Sequence, residues 1–373
     1  MKLASRILVG LFVMALATPS PETGQKPWER FFGQAARAAK PVTAPSGVLA
    51  SAPAAATCFG GPEGPNASPG AATPAPDLTQ PWPPVPCAPP VACSEPLTGS
   101  HHTYNVGPDQ TYAELTAVPW LSLVAGDVVN IFYRAQPYAT KVGLRAQGTA
   151  AKPVIINGVT DANCNRPVVT GANAVTAADA VAKGFFSGAG GSIIENYGLI
   201  VLFKLPSDPY GYKPSFLAIQ NLQIEGANAS SSFTAASGQT KSFARGASGI
   251  YAVVASNFTI QNCEIKGNGE GVFVNTKDDA IQEASYFVTL RGNSIHDNGV
   301  VGSYYEHNVY VQGVRTLYEG NYIGQLVPGA EGGSLKDRSS APVVRYNTIL
   351  SAARAIDLVD TEGGAGSVLD DPL

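Results

Sequence analysis

The sequence predicts an all-β chain whose last two-thirds coil into a right-handed parallel β-helix, a solenoid, preceded by a signal peptide and a disordered Pro/Ala-rich linker. Three observations carry this reading. Charged residues are only 14% of the chain while Gly is 40 and Pro is 29, which fits many short strands between turns and not a helical bundle. One phrase recurs five times: Ile219 to Ile224, Ile260 to Ile265, Leu290 to Ile295, Tyr318 to Ile323 and Val344 to Ile349. Each opens on a hydrophobic residue, carries an Asn two or three positions later (Asn221, Asn262, Asn293, Asn321, Asn347) and closes on Ile. Between these phrases lies a second row of short strands at Gly249 to Val253, Gly271 to Val274, Asn308 to Val311, Gly333 to Lys336 and Ala355 to Leu358. Two strands per period at uneven intervals suit solenoid coils with variable loops, whereas a sandwich or propeller needs even strand spacing.

The elements follow in order. Lys2 and Arg6 precede the apolar run Ile7 to Ala17, which ends in the small-residue site Ala15-Leu16-Ala17, so residues 1–17 read as a signal peptide. The run falls well short of the roughly 20 residues a membrane span needs, and no later segment reaches that length. The expected location is therefore secreted or periplasmic, in a bacterium. Residues 18–102, rich in Pro, Ala and Gly, bury too little apolar surface to offset their ordering entropy and read as a mostly disordered linker. The β-helix is expected over 103–373, with early strands at Val128 to Phe132 and Pro153 to Gly158. After Glu362 the chain reaches Leu373 with no amphipathic cap, which predicts either truncation or closure of the last coil by a partner or by self-association.

An exported chain permits disulfides among Cys58, Cys87, Cys93, Cys164 and Cys263. Cys87 and Cys93 are close enough in sequence to pair, Cys58 is a second candidate, and Cys263 sits inside a strand pattern as core. No cysteine spacing suits zinc. A net charge of −4 leaves no electrostatic footprint for nucleic acid.

Strand alternation places chemistry on one face. With Ile250, Val272, Val309, Leu335 and Ile356 inward, Tyr251, Phe273, Tyr310, Lys336 and Asp357 point outward on successive coils about 4.8 Å apart. Aromatic faces pack on the C–H faces of sugars, and charged ends grip uronate carboxylates, so this stripe is the candidate substrate surface, together with Arg354. The structural alternative is that Tyr and Phe simply suit a β surface. Lys336 and Arg338 could equally be a solvated pair with Asp337 or Glu331.

The stretch from Glu306-His307 through Tyr318-Glu-Gly-Asn-Tyr-Ile323 and Ser334-Leu-Lys336-Asp-Arg338 to Val344-Arg-Tyr-Asn-Thr-Ile349 resembles bacterial β-helix proteins of the wider pectate lyase-like superfamily. It is distantly similar to the polysaccharide lyase family of chondroitinase B and alginate lyases. That resemblance implies an acidic polysaccharide as substrate and β-elimination as chemistry, with Lys336 as base, Arg338 neutralising the uronate carboxylate, and His307 exchanging a proton. An Arg one coil later, Arg354, matches only in residue type, because the phrase around it departs from the family's. The chemistry needs these types: a Lys base must be neutral, which neighbouring positive charge promotes, and the carboxylate must be neutralised by Arg or Ca²⁺. Ca²⁺ is thus a candidate cofactor. Asp278-Asp279 faintly resembles polygalacturonase motifs, but no Gly-His-Gly or Arg-Ile-Lys follows, so these two and Glu283 read as a polar turn or a weak Ca²⁺ site. The competing class is a non-catalytic glycan-binding, adhesin-like or envelope structural β-helix.

Overall fold

The structure, a computed structural model, describes residues 93–187, 191–276, 281–350 and 353–360. The signal peptide, residues 18–92 with Cys58 and Cys87, Asp278-Asp279 and the last residues from 361 lie outside these. No helix among the described residues is long and apolar enough to cross a membrane.

Among the described residues, three sheets of eight, ten and six strands wrap one bore, all parallel except for one hairpin at the edge of the ten-stranded sheet. Each coil runs from the first sheet through the third to the second. One example is Ser256–Gln261, then Glu264–Lys266, then Glu270–Val274. The recurring phrase is the corner between the first and third sheets. Ile219, Ile260, Leu290, Tyr318 and Val344 stack in register on one side of it. Ile224, Ile265, Ile295, Ile323 and Ile349 stack on the other. The inward row of the ten-stranded sheet, Ile250–Val272–Val309–Leu335, completes the core, and Ile356 continues that row at its exposed end. Parallel strands joined by such crossovers take the right hand.

The corner has a definite mechanism. One residue per coil adopts the left-handed conformation: Asn221, Asn262, Gly292, Gly320 and Tyr346, with φ between 49 and 61 for the first two and between 57 and 64 for the rest. Asn and Gly tolerate that region best, which explains the Asn/Gly choice. The next residue carries the ladder. Asn321 Oδ1 accepts from Asn293 N (3.0 Å) and Asn293 Nδ2 (2.9 Å), and Asn347 Oδ1 accepts from Asn321 N and Nδ2 (2.9 Å each). The Asn of the phrase therefore occupies two adjacent positions. In the earlier coils it is the turn residue itself, where Asn262 Nδ2 donates to Asn221 Oδ1 and Asn221 Nδ2 donates to Asn157 Oδ1. A second ladder, not expected from sequence, joins Asn268 to Asn298 at the next corner.

The N-terminal end of the bore is closed. Leu115 and Trp120 are buried against the same small apolar gap as Ile131, Val142 and Ile156. Trp120 Nε1 donates to Leu115 O at 2.8 Å, so the indole is both packed and satisfied. At the other end Ile356 and Leu358 are exposed.

Two sequence expectations change here. Residues 93–102 are bound to the helix flank and are not linker. Leu97 exchanges hydrogen bonds with Asn130, and Ser94 with Thr160. Cys93 pairs with Cys164 across 71 residues and not with Cys87; the partner is distant in sequence but lies beside the strap in space. Cys263 is free and buried, in the core as expected.

An insert between Ala174–Thr176 and Gly198–Leu202, with the hairpin Ser232–Thr234/Thr240–Ser242, covers the outer face of the early coils. Beneath it Lys141 is fully buried. Its Nζ donates to Glu195 O at 2.7 Å and to Gly198 O, and lies 4.5 Å and 4.6 Å from the Phe233 and Phe243 ring centres. Burial pulls its pKa down to about 7.

Candidate functional site

Beyond that insert the outer face of the ten-stranded sheet carries the residues singled out by alternation. The register is the expected one: Tyr251↔Phe273, Phe273↔Tyr310, Tyr310↔Lys336 and Lys336↔Asp357 are strand partners. Tyr251 and Phe273 stack with centroids 5.1 Å apart, and Phe273 meets Tyr310 edge-on at 5.1 Å. Lys336 Nζ rests 4.5 Å from the Tyr310 ring centre.

The stripe is not an open platform. Phe273 and Tyr310 are only 5% and 8% exposed. One-coil spacing sets each ring against its neighbours, Tyr197 approaches Tyr251 to 6.3 Å, and the His307 ring stands edge-on to Tyr310 at 5.6 Å. Burial, with Glu270 and Tyr197 nearby, drives the Tyr251 phenol pKa upward.

His307 is fully buried, two residues ahead of Val309–Val311. Its Nδ1 accepts from Gly333 N at 2.9 Å, which in the neutral ring puts the proton on Nε2. It is thus anchored to the strand that carries Lys336. Arg338 lies two residues beyond Lys336, on the same outward alternation. Its backbone N donates to Val311 O and its Nη1 to Asp360 O. Asp337 is not the partner of either cation. It faces the bore, where the Tyr318 hydroxyl donates to it and Ser339 N donates at 2.7 Å. Burial raises its pKa. Arg354 and Asp357 pair with each other, Nε to Oδ2 at 3.6 Å.

Several residues had no weight in the sequence reading. Glu270, almost fully buried, opens its strand beside Tyr251, and Ser248 is its partner one coil earlier. Gly271 N donates to His307 O, so Glu270 and His307 belong to adjoining strand ends. Glu306, next to His307, is 3% exposed and faces Arg245 Nη2 at 3.7 Å. The Glu306-His307 dipeptide was the available signal. Glu283, which the sequence reading put in a polar turn or a weak Ca²⁺ site, is buried and accepts from Lys204 Nζ (2.7 Å) and Gly211 N (2.8 Å). Among the described residues, no group of three or more His, Cys, Asp or Glu side chains could hold a metal ion.

Comparison with known proteins adds the following. Residues 221–368 match the family model described as right handed beta helix region. No curated protein matches the chain. Among solved structures, it is similar to a GH136 lacto-N-biosidase from Eubacterium ramulus (13% identity, TM-score 0.41, 66% of this chain and 51% of that one). The chain therefore spans about half the length of that protein. It is also similar to a pectin methylesterase from Aspergillus niger (9% identity, TM-score 0.36, 76% of this chain and 91% of that one). A third is the Escherichia coli protein ybhc (16% identity, TM-score 0.33, 79% and 73%). None of these carries an activity over to this chain. The matched family model, the three parallel sheets and the stacked corners agree on one conclusion: this protein is a right-handed parallel β-helix.

Proposed function

We propose that the chain acts on an acidic polysaccharide along the outer face of its ten-stranded sheet, by β-elimination with Lys336 as base. The observation that carries this reading is the convergence on Tyr310: Lys336 Nζ over its ring, His307 at its edge, and Arg338 on the same alternation as Lys336. In the step, Lys336 takes the proton beside the uronate carboxylate. The electron pair forms the new C=C bond and the glycosidic C–O bond breaks. The leaving oxygen takes a proton from solvent, since the buried His307 does not reach the outer face. Arg338 faces the carboxylate charge that develops. The Cys93–Cys164 disulfide supports an oxidising setting outside the cytoplasm, in line with a secreted or periplasmic chain.

A second reading, a non-catalytic glycan-binding, adhesin-like or envelope structural β-helix, draws support from the burial of Tyr310 and His307, which withdraws both from contact with a substrate. The discriminating experiment is ultraviolet detection of unsaturated product on alginate, pectate and chondroitin, with and without Ca²⁺. Product that disappears in Lys336→Ala supports the lyase. No product from folded protein across the panel overturns it in favour of the binding or structural reading.

A further inference from the structure

We propose that the outer face of the eight-stranded sheet, at its C-terminal coils, is a second docking surface for a uronate-containing polysaccharide, apart from the ten-stranded face and with no chemistry of its own. It takes its ligand class from the function proposed above and rests on that reading for nothing else.

Register lays the face out. Arg291, Glu319 and Arg345 are strand partners on three successive coils. Two positions earlier, Thr289, Leu317 and Val343 are partners on the same side, while Leu290 and Tyr318 between the two rows are buried in the core. At the start of these strands Phe287 and Arg315 follow the bridged residues Tyr286 and Val314, again one coil apart. With strands about 4.8 Å apart and about 3.3 Å per residue, the face measures about 10 Å by 13 Å. It is open where the ten-stranded face is covered: Phe287, Val343, Arg345 and Tyr346 are all exposed.

The face is positive on a chain whose net charge is −4. Glu319 accepts from Arg291 Nε and from Arg345 Nε, each at 2.8 Å, so one carboxylate stands between two guanidiniums. Arg315 adds a third cation, held over the Phe287 ring at 5.8 Å. Three guanidiniums against one carboxylate leave an excess of positive charge. Their planar forks match carboxylates. A second copy of the same face would set arginine against arginine, so the charge selects an anionic partner.

Two aromatic rings border the charge, and the backbone does not require either. Phe287, 39% exposed, has a left-handed φ of 55, at the place that Asn257 fills on the coil before with φ 48. Tyr346, 80% exposed, has φ 57 at the corner position where earlier coils carry Asn262, Gly292 and Gly320. A bulky side chain strains the chain at such φ, where Asn or Gly is tolerated. Neither ring gains burial in compensation, so the strain points to what the rings meet outside the molecule. Each lies beside a guanidinium, since Arg345 Cζ stands 5.8 Å from the Tyr346 ring centre. A ring next to a guanidinium receives the C–H face of a sugar and its carboxylate together, which an acidic peptide does not supply. Phe287 and Tyr346 mark opposite corners of the face and set a sugar chain diagonally across the strands.

The test is calorimetric titration of the full chain with alginate and pectate oligosaccharides, in a Lys336→Ala background that keeps the ligand intact. Binding should weaken about threefold to tenfold in Phe287→Gly and in Arg315→Gln. Lys152→Gln, the same charge change at an exposed turn elsewhere, should leave it unaltered. The melting temperature of Phe287→Gly should hold or rise, because glycine relieves the left-handed strain; a fall would assign the ring to packing and overturn its place in the surface. No binding by folded protein, or binding untouched by both substitutions, overturns the proposal. So does equal loss of dextran sulfate binding in Lys152→Gln and Arg315→Gln, which would be general charge attraction, and so does tighter binding of polyglutamate than of either oligouronate, which would point to a protein partner. Elimination by the wild type beside binding blind to Phe287 and Arg315 removes this surface and keeps the lyase. A silent elimination assay beside Phe287-dependent binding does the reverse.

Discussion

Tyr310 and Lys336 are strand partners on successive coils, and the Lys336 ammonium lies over the Tyr310 ring at 4.5 Å. The contact holds the amine on the outer face, while Asp337, next in sequence, turns into the bore. If Lys336 is the base, Lys336→Ala should lower elimination by about 10²–10⁴-fold. The melting temperature should barely move, since one cation–π contact at a half-exposed site contributes about 0.5–1 kcal/mol. Paired initial-rate and thermal-melt measurements check this; a large melting loss would assign Lys336 a structural role instead.

Asn321 should be costly to replace. Its amide bonds Asn293, Asn347 and the Leu290 carbonyl, all from a buried corner. Asn321→Ala leaves several of these groups without partners, at about 1–3 kcal/mol for each buried unsatisfied group. Urea denaturation should show a loss of at least about 2 kcal/mol. Gly320→Ala, at the left-handed turn residue before it, should destabilise through backbone strain.

Reduction of Cys93–Cys164 should release the strap over Asn130 and Asn157. Closing a span of 71 residues constrains the unfolded chain by roughly 4 kcal/mol on the chain-entropy model. The Cys93→Ser/Cys164→Ser variant should unfold at lower urea, and amides from 94 to 105 should exchange faster. Unchanged urea midpoints would show that the hydrogen bonds of Ser94 and Leu97 suffice.

On the third sheet, His296 lies between Glu264 (3.4 Å) and Asp297 (2.7 Å). The hydrogen bond to Glu264 leads in raising the His296 pKa, and the same bond leads in lowering that of Glu264 to about 2. A raised His pKa stabilises below the ordinary value of 6.5 and is lost as pH rises through the folded value. A lowered Glu pKa stabilises above 4.5 and is lost as pH falls toward 2. The pair should therefore contribute most between pH 4.5 and 6.5. His296→Ala should lower the urea midpoint most within that window and remove the pair's falls in stability below pH 4.5 and above pH 6.5; an unchanged curve would mean that solvent screens the cluster.

Much of this architecture was legible because a solenoid repeats its constraints. Strand alternation was enough to align Tyr251, Phe273, Tyr310, Lys336 and Asp357, since a slip of one residue would send Ile250 and Val272 outward. The corner Asn was harder to place, because Asn serves both as the left-handed residue (Asn262) and as the ladder residue after it (Asn293). The Cys93–Cys164 pairing and the encounter of Arg245 with Glu306 were invisible, since each joins segments whose separation in the chain depends on loop length. The covering of Phe273 and Tyr310 was equally hidden: strand period fixes which way a side chain points, and burial depends on what neighbouring coils place beside it.

The plug of Leu115 and Trp120 gives the solenoid a grammar of extension. At the end they close, any added coil must first displace a satisfied indole from its niche. Beyond Arg354–Leu358, the last described strand, no further strand partner lies among the described residues, and Ile356 and Leu358 are exposed. Coils grafted by design should therefore be accepted after residue 358 and refused before residue 103. The molecule can be lengthened like a sentence, by appending clauses and never by moving its first word.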